Sequence, residues 1–142
     1  MMISTKGRYA LRMMIDLAEH NNGEYIPLKD MAERQEISKK YLESIMTMMS
    51  KSGLVSGLHG KGGGYRLTRS PAEYTVADIL RVTEKTLAPV ECLSCSPNTC
   101  SRAVSCKTLP MWEKLNTLIE DFFSGITLED LILEESAYDY SI

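Results

Sequence analysis

The most constraining feature of the sequence is a short helix, a tight turn, a longer helix and a glycine-rich hairpin in immediate succession. Residues 29–34 show a short helical pattern after Pro27, and Ser38 is a good N-cap for the next helix. About four residues separate the two helices, as a helix-turn-helix requires. A strand–turn–strand pattern follows over residues 54–68. This order predicts a winged helix-turn-helix.

Apolar residues recur at helical spacing in further segments. Residues 9–18 predict an amphipathic helix, Thr75 begins a capped fourth helix, and a long helix opens at Pro110. We therefore expect a mainly α fold with a small β wing. The expected divisions are a winged-helix domain over 1–83, a cysteine-bearing sensor loop over 84–107, a dimerisation helix with a short C-terminal helix over 108–135, and a flexible tail over 136–142.

The predicted recognition helix carries basic and small polar residues on the face opposite its apolar stripe. Lys39 and Lys40, near its N-terminus, suit DNA phosphates, which set affinity and register. Ser38, Glu43 and Thr47 are the candidates for contacts with base edges, because a carboxylate accepts from cytosine and hydroxyls serve several bases. A solvated charged face is the alternative interpretation of this pattern.

The predicted wing ends in the run Gly60-Lys61-Gly62-Gly63-Gly64. We expect His59 and Lys61 to reach the minor groove or its phosphates, with the glycines permitting close backbone approach. A flexible hairpin turn is one alternative. A nucleotide-binding phosphate loop is another, but the run lacks the required spacing and a following helix.

Composition and charge narrow the class of protein. Hydrophobic residues make up 44% and charged residues 25% of the 142 residues, ordinary values for a globular protein. No apolar run approaches the roughly 18–20 residues of a membrane span, and no signal peptide is visible, so we expect a cytoplasmic protein. Residues 1–70 hold 11 Lys and Arg against 7 Asp and Glu, and the remainder 5 against 12. This asymmetry indicates one polyanion-binding end, or chance variation in surface charge.

Four cysteines, Cys92, Cys95, Cys100 and Cys106, lie within fifteen residues. In a reducing compartment, clustered cysteines are more often metal ligands or redox thiols than structural disulfides. Thiolates at short, irregular spacing can hold an iron–sulfur cluster. A zinc site usually has two separated C-x2-C pairs, whereas this loop has one. A metal-free thiol switch needs only two cysteines, so all three possibilities stay open.

Several of these segments resemble the Rrf2 family of winged-helix transcription regulators. The resemblance lies in residues 3–10 and 37–43, then in Gly53-Leu54-Val55 and in the glycine run ending at Tyr65. It implies a sequence-specific DNA-binding regulator, a repressor or a dual regulator, that acts as a homodimer on double-stranded operator DNA. It also implies that the long helix packs against its partner, through Trp112, Leu115, Leu118, Ile119 and Phe122. Packing within one subunit is the alternative for that stripe.

The resemblance also bears on the cysteine segment. Cys92, Cys100 and Cys106 occupy places comparable to the three cluster ligands of the family's IscR-like branch, which implies a 2Fe–2S or 4Fe–4S cluster. Leu109 stands where that branch has a histidine ligand, and Arg8 where another branch has an acidic one. The fourth ligand is then Cys95, a group from the partner subunit or a small thiol.

Cluster ligation is expected to reorient the two winged helices, with Glu43 as a discriminator that repels phosphate or a wrong base. Control by thiol oxidation, or by a partner enzyme as in the family's cysteine-metabolism branch, is the alternative without a cluster. An electron-transfer protein would have no use for a recognition helix and a wing. Nothing in the sequence argues for an enzyme, since His20 and His59 have no plausible nucleophile near them in the sequence.

Overall fold

A computed structural model describes residues 2–94 and 101–133 of the chain. The elements are α1 (Thr5–Glu19), α2 (Leu28–Gln35), α3 (Lys39–Lys51), β1 (Val55–Leu58), β2 (Gly64–Leu67), α4 (Val76–Thr83), α5 (Leu109–Ser124) and α6 (Leu128–Leu133). This order confirms the predicted mainly α fold with a small β wing. Cys95, Cys100 and the predicted tail over 136–142 lie outside the described residues.

Side-chain caps fix where the helices of the DNA-binding unit begin. The Ser38 hydroxyl accepts a hydrogen bond from the Tyr41 amide at 3.2 Å, as its position before α3 predicts. Thr75 and Asp78 form a reciprocal capping box at the start of α4. Between α2 and α3, Glu36 adopts the left-handed conformation, with φ 55° and ψ 43°. The turn is therefore tight enough to set α3 across α2.

The main core gathers the apolar faces of α1, α2 and α3 with the base of the wing, Tyr74 and α6. Met13, Met14, Met31, Met46 and Met49 are fully buried in it. Unbranched thioether side chains fill irregular gaps between crossing helices, which suits this three-helix junction. The residues at helical spacing in the sequence are thus the ones that form the core.

The wing is an antiparallel pair that runs from Val55 opposite Leu67 to Leu58 opposite Gly64. The outer edge of β2 is also occupied, because Tyr65 exchanges two backbone hydrogen bonds with Ile26, at 2.8 and 2.9 Å. Gly64 has a φ of 146°, and a Cβ there would lie 2.1 Å from the Ile26 carbonyl oxygen. β2 therefore begins at Gly64, the last residue of the predicted turn, and Tyr65 anchors the wing to the segment before α2.

A buried carboxylate joins α1 to the C-terminal end of α2. Asp16 is 3% exposed, and its two oxygens accept from Arg34 Nη2 at 2.7 Å and Arg34 Nε at 3.0 Å. Gln35 Nε2 donates a third hydrogen bond at 3.0 Å. Arg12, one turn earlier on α1, donates to the Gln35 side chain and backbone oxygens at 3.1 and 2.7 Å. This network holds the turn of the helix-turn-helix against α1.

A second, smaller core lies beside the first. Val76 and Leu80 of α4 pack there with Leu87, and Ile119 and Phe123 of α5 cover them. The chain then returns, so that α6 places the buried Leu128 in the main core against α1. The sequence pattern did not predict this return of α6. The second core therefore connects the DNA-binding unit to the long helix.

Replacing Asp16 by Ala is expected to lower the free energy of unfolding by about 3 kcal/mol, because it leaves Arg34 partly buried without its partner. This loss is at the lower end of the range for breaking a buried ion pair, because the Arg34 side chain is 34% exposed. Urea unfolding followed by circular dichroism measures the change. Glu33→Ala, at an exposed position of α2, is the matched control and should change stability by less than about 0.5 kcal/mol. Equal losses in the two variants would contradict this role for Asp16.

The same network makes stability depend on pH in a defined direction. Burial alone would raise the pKa of Asp16, but hydrogen bonds from Arg34 and Gln35 and the charges of Arg34 and His20 hold it below its ordinary value of 3.8. The stabilisation is therefore complete above that ordinary pKa and is lost as the pH falls through the lowered folded-state pKa. We expect the stability difference between wild type and Asp16→Asn to shrink below about pH 4. A constant difference down to pH 2 would contradict it.

Candidate nucleic-acid interface and cysteine segment

A groove of about 610 Å³ separates the exposed face of α3 from the wing. Lys39, Glu43 and Thr47 line one wall, since residues four apart share one face of a helix. His59 and the glycines of the tip line the other wall. We call this the α3–wing groove. It brings together four of the seven residues predicted to bind DNA.

The other three predicted residues lie at the rim. Ser38 is occupied as the N-cap of α3, and Lys40 beside it is exposed but does not line the groove. Lys61 is exposed in the turn between the two strands. These positions suit contact with backbone phosphates or neighbouring bases rather than with a group inside the groove.

Sequence reasoning missed four polar or aromatic residues that also line the groove, namely Lys29, Ser50, Lys51 and Tyr65. Continuing the helical period past Thr47 would have found Ser50 and Lys51. Lys29, at the start of α2, and Tyr65, on β2, enter only through the tertiary fold. The groove therefore holds three lysines, of which only Lys39 is among the three that the sequence predicted to bind DNA.

The charged side chains of the groove favour the binding of a polyanion, except for Glu43. Lys29, Lys39 and Lys51 form no ion pair within the described residues, so their charges are available to phosphates. The Glu43 carboxylate likewise has no cationic partner in the described part of the chain. The Thr47 hydroxyl donates to the Glu43 backbone oxygen at 2.7 Å, which leaves its methyl group and lone pairs exposed. A helix with these groups fits the major groove of DNA.

The two described cysteines lie at the ends of the cysteine segment. Cys92 is half-buried in a short 3-10 turn over Glu91–Leu93. Cys106 is half-buried just before α5, with its Sγ 3.4 Å from Thr108 Oγ1. Within residues 2–94 and 101–133, no three His, Cys, Asp or Glu side chains gather as a metal site. Two of the four predicted ligands lie outside those ranges.

Hydrogen bonds to Cys106 favour its thiolate. The Thr108 side chain has the largest effect in lowering the pKa of Cys106, and the Thr108 and Leu109 amides and the charge of Arg102 add to it, whereas burial opposes it. These amides belong to the start of α5, where the helix dipole also favours negative charge. The thiolate is the form that ligates metals and reacts as a nucleophile. Cys106 therefore has the chemistry that a ligand or a reactive thiol needs.

An apolar stripe lies exposed along α5. Met111, Leu115, Leu118 and Phe122 are 52%, 37%, 66% and 61% exposed and follow one another at spacings of four, three and four residues. Leu118 and Phe122 lie beside a shallow apolar groove of about 380 Å³. Of the five residues predicted at a dimer interface, Ile119 packs against the second core and also lines this groove, and Trp112 is half-buried. The stripe contains the other three and adds Met111, which the sequence pattern did not single out.

No helix in the described part of the chain has the length and apolar character to cross a membrane. The model of the Rrf2 family, described as iron-dependent transcriptional regulators, matches residues 3–134. The transcriptional regulator IscR of Photorhabdus laumondii is 35% identical over 139 residues, which cover 98% of this chain and 84% of that protein.

Solved structures of the family have the same fold. CymR, the global cysteine regulator of B. subtilis, superposes with a TM-score of 0.79 at 31% identity, over 96% of this chain and 99% of CymR. T. potens IscR superposes with a TM-score of 0.72 at 34% identity, over 99% and 96% of the two chains. These similarities agree with the helix-turn-helix, the wing and the basic groove. The chain therefore belongs to the Rrf2 family and is a DNA-binding transcriptional regulator of winged-helix fold.

Proposed function

We propose that this regulator is a homodimeric, repressor-type protein whose DNA affinity is controlled by an iron–sulfur cluster bound between Cys92 and Cys106. The observation that carries the proposal is the position of Cys106, whose thiolate is favoured at the start of the helix that bears the exposed apolar stripe. A change of ligation there acts directly on α5. The IscR relatives at 33–35% identity support this reading.

The donor set fits such a cluster. Cys92, Cys100 and Cys106 would hold it, with Cys95 as the possible fourth ligand, since soft thiolates are the usual ligands of iron–sulfur clusters. A 2Fe–2S and a 4Fe–4S cluster are both compatible with four thiolates, and zinc fits the spacing less well. When bound, the group would supply sensitivity to iron supply, redox state or nitric oxide. The protein's own part is to hold the ligating thiolates and to pass their rearrangement to α5.

The α3–wing groove is proposed to read the operator. Lys39 and Lys40 would bind phosphates, and Ser38 and Thr47 would contact base edges from the N-cap and the third turn of α3. Glu43 would act as a discriminator, because its unpaired carboxylate repels phosphate and accepts only from a suitably placed base donor. His59 and Lys61 would enter the minor groove with the wing. Because the proposed partner is operator DNA, we expect the protein to act in the cytoplasm.

The apolar stripe on α5 is proposed to pair with the same stripe of a second copy. Leu115, Leu118 and Phe122 are exposed, and burying their apolar surface against a second copy would favour association, at about 25 cal/mol per Å² buried. A two-fold axis at α5 sets two recognition helices at a fixed separation, which must match the operator half-sites. A small rotation at α5 would therefore change DNA affinity strongly.

A regulator of cysteine or sulfur metabolism without a cluster is the second candidate. Its support is the similarity to CymR together with the favoured thiolate of Cys106, which also suits direct oxidation or electrophile sensing. In that case the cysteines would act as thiols, or control would come from a partner enzyme. Iron content separates the two candidates.

Protein purified anaerobically is expected to show visible absorption with matching iron and acid-labile sulfide. Cys106→Ala and Cys92→Ala should lose at least about four-fifths of that iron and sulfide, because each removes one thiolate ligand. Cys95→Ala reports whether Cys95 is the fourth ligand. Ser105→Ala, next to Cys106 and exposed, is the matched control. Colourless, iron-free wild-type protein from anaerobic cells would contradict the cluster and favour the thiol-based candidate.

The double variant Leu118→Glu/Phe122→Glu is expected to be monomeric in sedimentation velocity at concentrations where the wild type is dimeric. Two carboxylates facing their own copies across a two-fold axis add repulsion to the loss of apolar burial. Ser124→Glu, exposed and two residues beyond Phe122, which puts it on the opposite side of α5, should leave the dimer intact. A monomeric wild type, or a double variant that still forms the dimer, would contradict the assigned interface.

A further inference from the structure

The end of α4 is joined to the start of α1 by a carboxylate clamp. The Ser4 backbone N–H donates to Glu84 Oε1 at 2.6 Å, and the Ser4 hydroxyl donates to Glu84 Oε2 at 2.7 Å. The same hydroxyl accepts from the Gly7 amide at 2.9 Å, as the N-cap of α1. One carboxylate therefore fixes both the backbone and the capping side chain at the start of α1. Bonds of this kind, with one charged partner, are stronger than neutral ones.

The position of Glu84 is unfavourable for its own helix. Glu84 is the C-cap residue of α4, and a carboxylate at a helix C-terminus opposes the helix dipole. By contrast, α1 has no acidic residue in its first turn, so Glu84 supplies the negative charge that its N-terminus favours. Gly7 allows this close approach, because a Cβ there would lie 3.1 Å from Thr83 Oγ1 and 3.2 Å from Glu84 Cδ. Glu84 therefore stabilises the contact between α4 and α1 and not the helix to which it belongs.

The end of α4 also meets the segments that lead to the cysteines and to the apolar stripe. Arg81, one turn before Glu84, pairs with Glu120 of α5. Leu87, three residues after Glu84, is buried in the second core, where Ile3 packs against it. Cys92 follows only five residues later. A movement of the cysteine segment would therefore displace the end of α4, which is bonded to Ser4 of α1 through Glu84 and to Glu120 of α5 through Arg81.

The start of α1 is in turn coupled to the recognition helix. Tyr9, on the second turn of α1, packs edge to face on Tyr41 in the first turn of α3, with ring centroids 5.6 Å apart. A displacement of α1 would therefore move the end of α3 that carries Ser38 and Lys39. Packed and hydrogen-bonded groups therefore connect Leu87, five residues before Cys92, to the end of α3 at the α3–wing groove.

We propose that Glu84 is a positioning residue that transmits the state of the cysteine segment to the DNA-binding unit through its clamp on Ser4. The inference rests on the proposed function, because it requires that the cysteine state changes DNA affinity. Without the clamp, α1 and α4 still pack through the two cores, but the start of α1 no longer follows the linker to Cys92. Loss of Glu84 therefore uncouples the two ends of the molecule without removing either site.

The experiment compares DNA binding by the iron-loaded and the iron-free protein, using a duplex that the wild type selects from a random-sequence pool. We expect the two wild-type Kd values to differ about tenfold, within the range usual for coupled sites. In Glu84→Ala the ratio should fall below about twofold, with wild-type iron content. Glu84→Gln, which keeps an acceptor for the Ser4 N–H, should give an intermediate ratio. Glu73→Ala, exposed and bonded only to Ser70 in its own turn, should keep the wild-type ratio.

Hydrogen exchange of residues 2–12 provides a readout that does not depend on DNA. Iron removal should change the protection of the first turn of α1 in the wild type and in Glu73→Ala, but not in Glu84→Ala. If Glu84→Ala does not fold, Glu84→Gln serves instead, since it keeps an acceptor for the Ser4 N–H and leaves the Ser4 cap on the Gly7 amide in place. A Glu84→Ala protein that keeps both the wild-type Kd ratio and the wild-type exchange response overturns the inference alone. A wild-type ratio of one overturns the proposed function as well.

Discussion

The burial of one carboxylate determines how the DNA-binding unit is assembled. A charged group that loses its water must be paired and hydrogen-bonded, and Asp16 accepts its side-chain hydrogen bonds from Arg34 and Gln35 at the end of α2. The three hydrogen bonds fix the crossing of α1 and α2, and the left-handed Glu36 then turns the chain into α3. The position of the recognition helix relative to the wing follows from that crossing. The α3–wing groove therefore depends on a residue that lies outside it.

The two cores divide the molecule into a part that reads DNA and a part that can respond to the cysteines. α1 takes part in both, since its Met13 and Leu17 lie in the main core and Leu11 also packs against the second. Interiors packed in this way shift between discrete arrangements instead of deforming continuously. In the proposed control by a cluster, a change at the start of α5 would be passed to the DNA-binding unit through α4 and α1.

Much of the fold could be predicted because it depends on local signals. Helical periodicity located the apolar face of α1, where Met13 and Met14 are fully buried, and Ser38 marked the start of α3. Asp16 could not be recognised, since an acidic residue within an amphipathic helix usually faces solvent and its partner Arg34 is eighteen residues away. The pairing of Ile26 with β2 was missed because a single residue gives no strand pattern in the sequence. Periodicity also could not divide the apolar residues of α5 between an internal face and an exposed stripe.

We propose that DNA binds in the α3–wing groove. Hydrogen exchange of the wild-type chain, measured with and without a duplex that it selects from a random pool, tests this assignment. We expect slower exchange in the first turn of α3 and in residues 57–64 of the wing, with the exposed face of α5 unchanged. Slower exchange confined to α5 or to the cysteine segment, with α3 and the wing unaffected by saturating DNA, would contradict it.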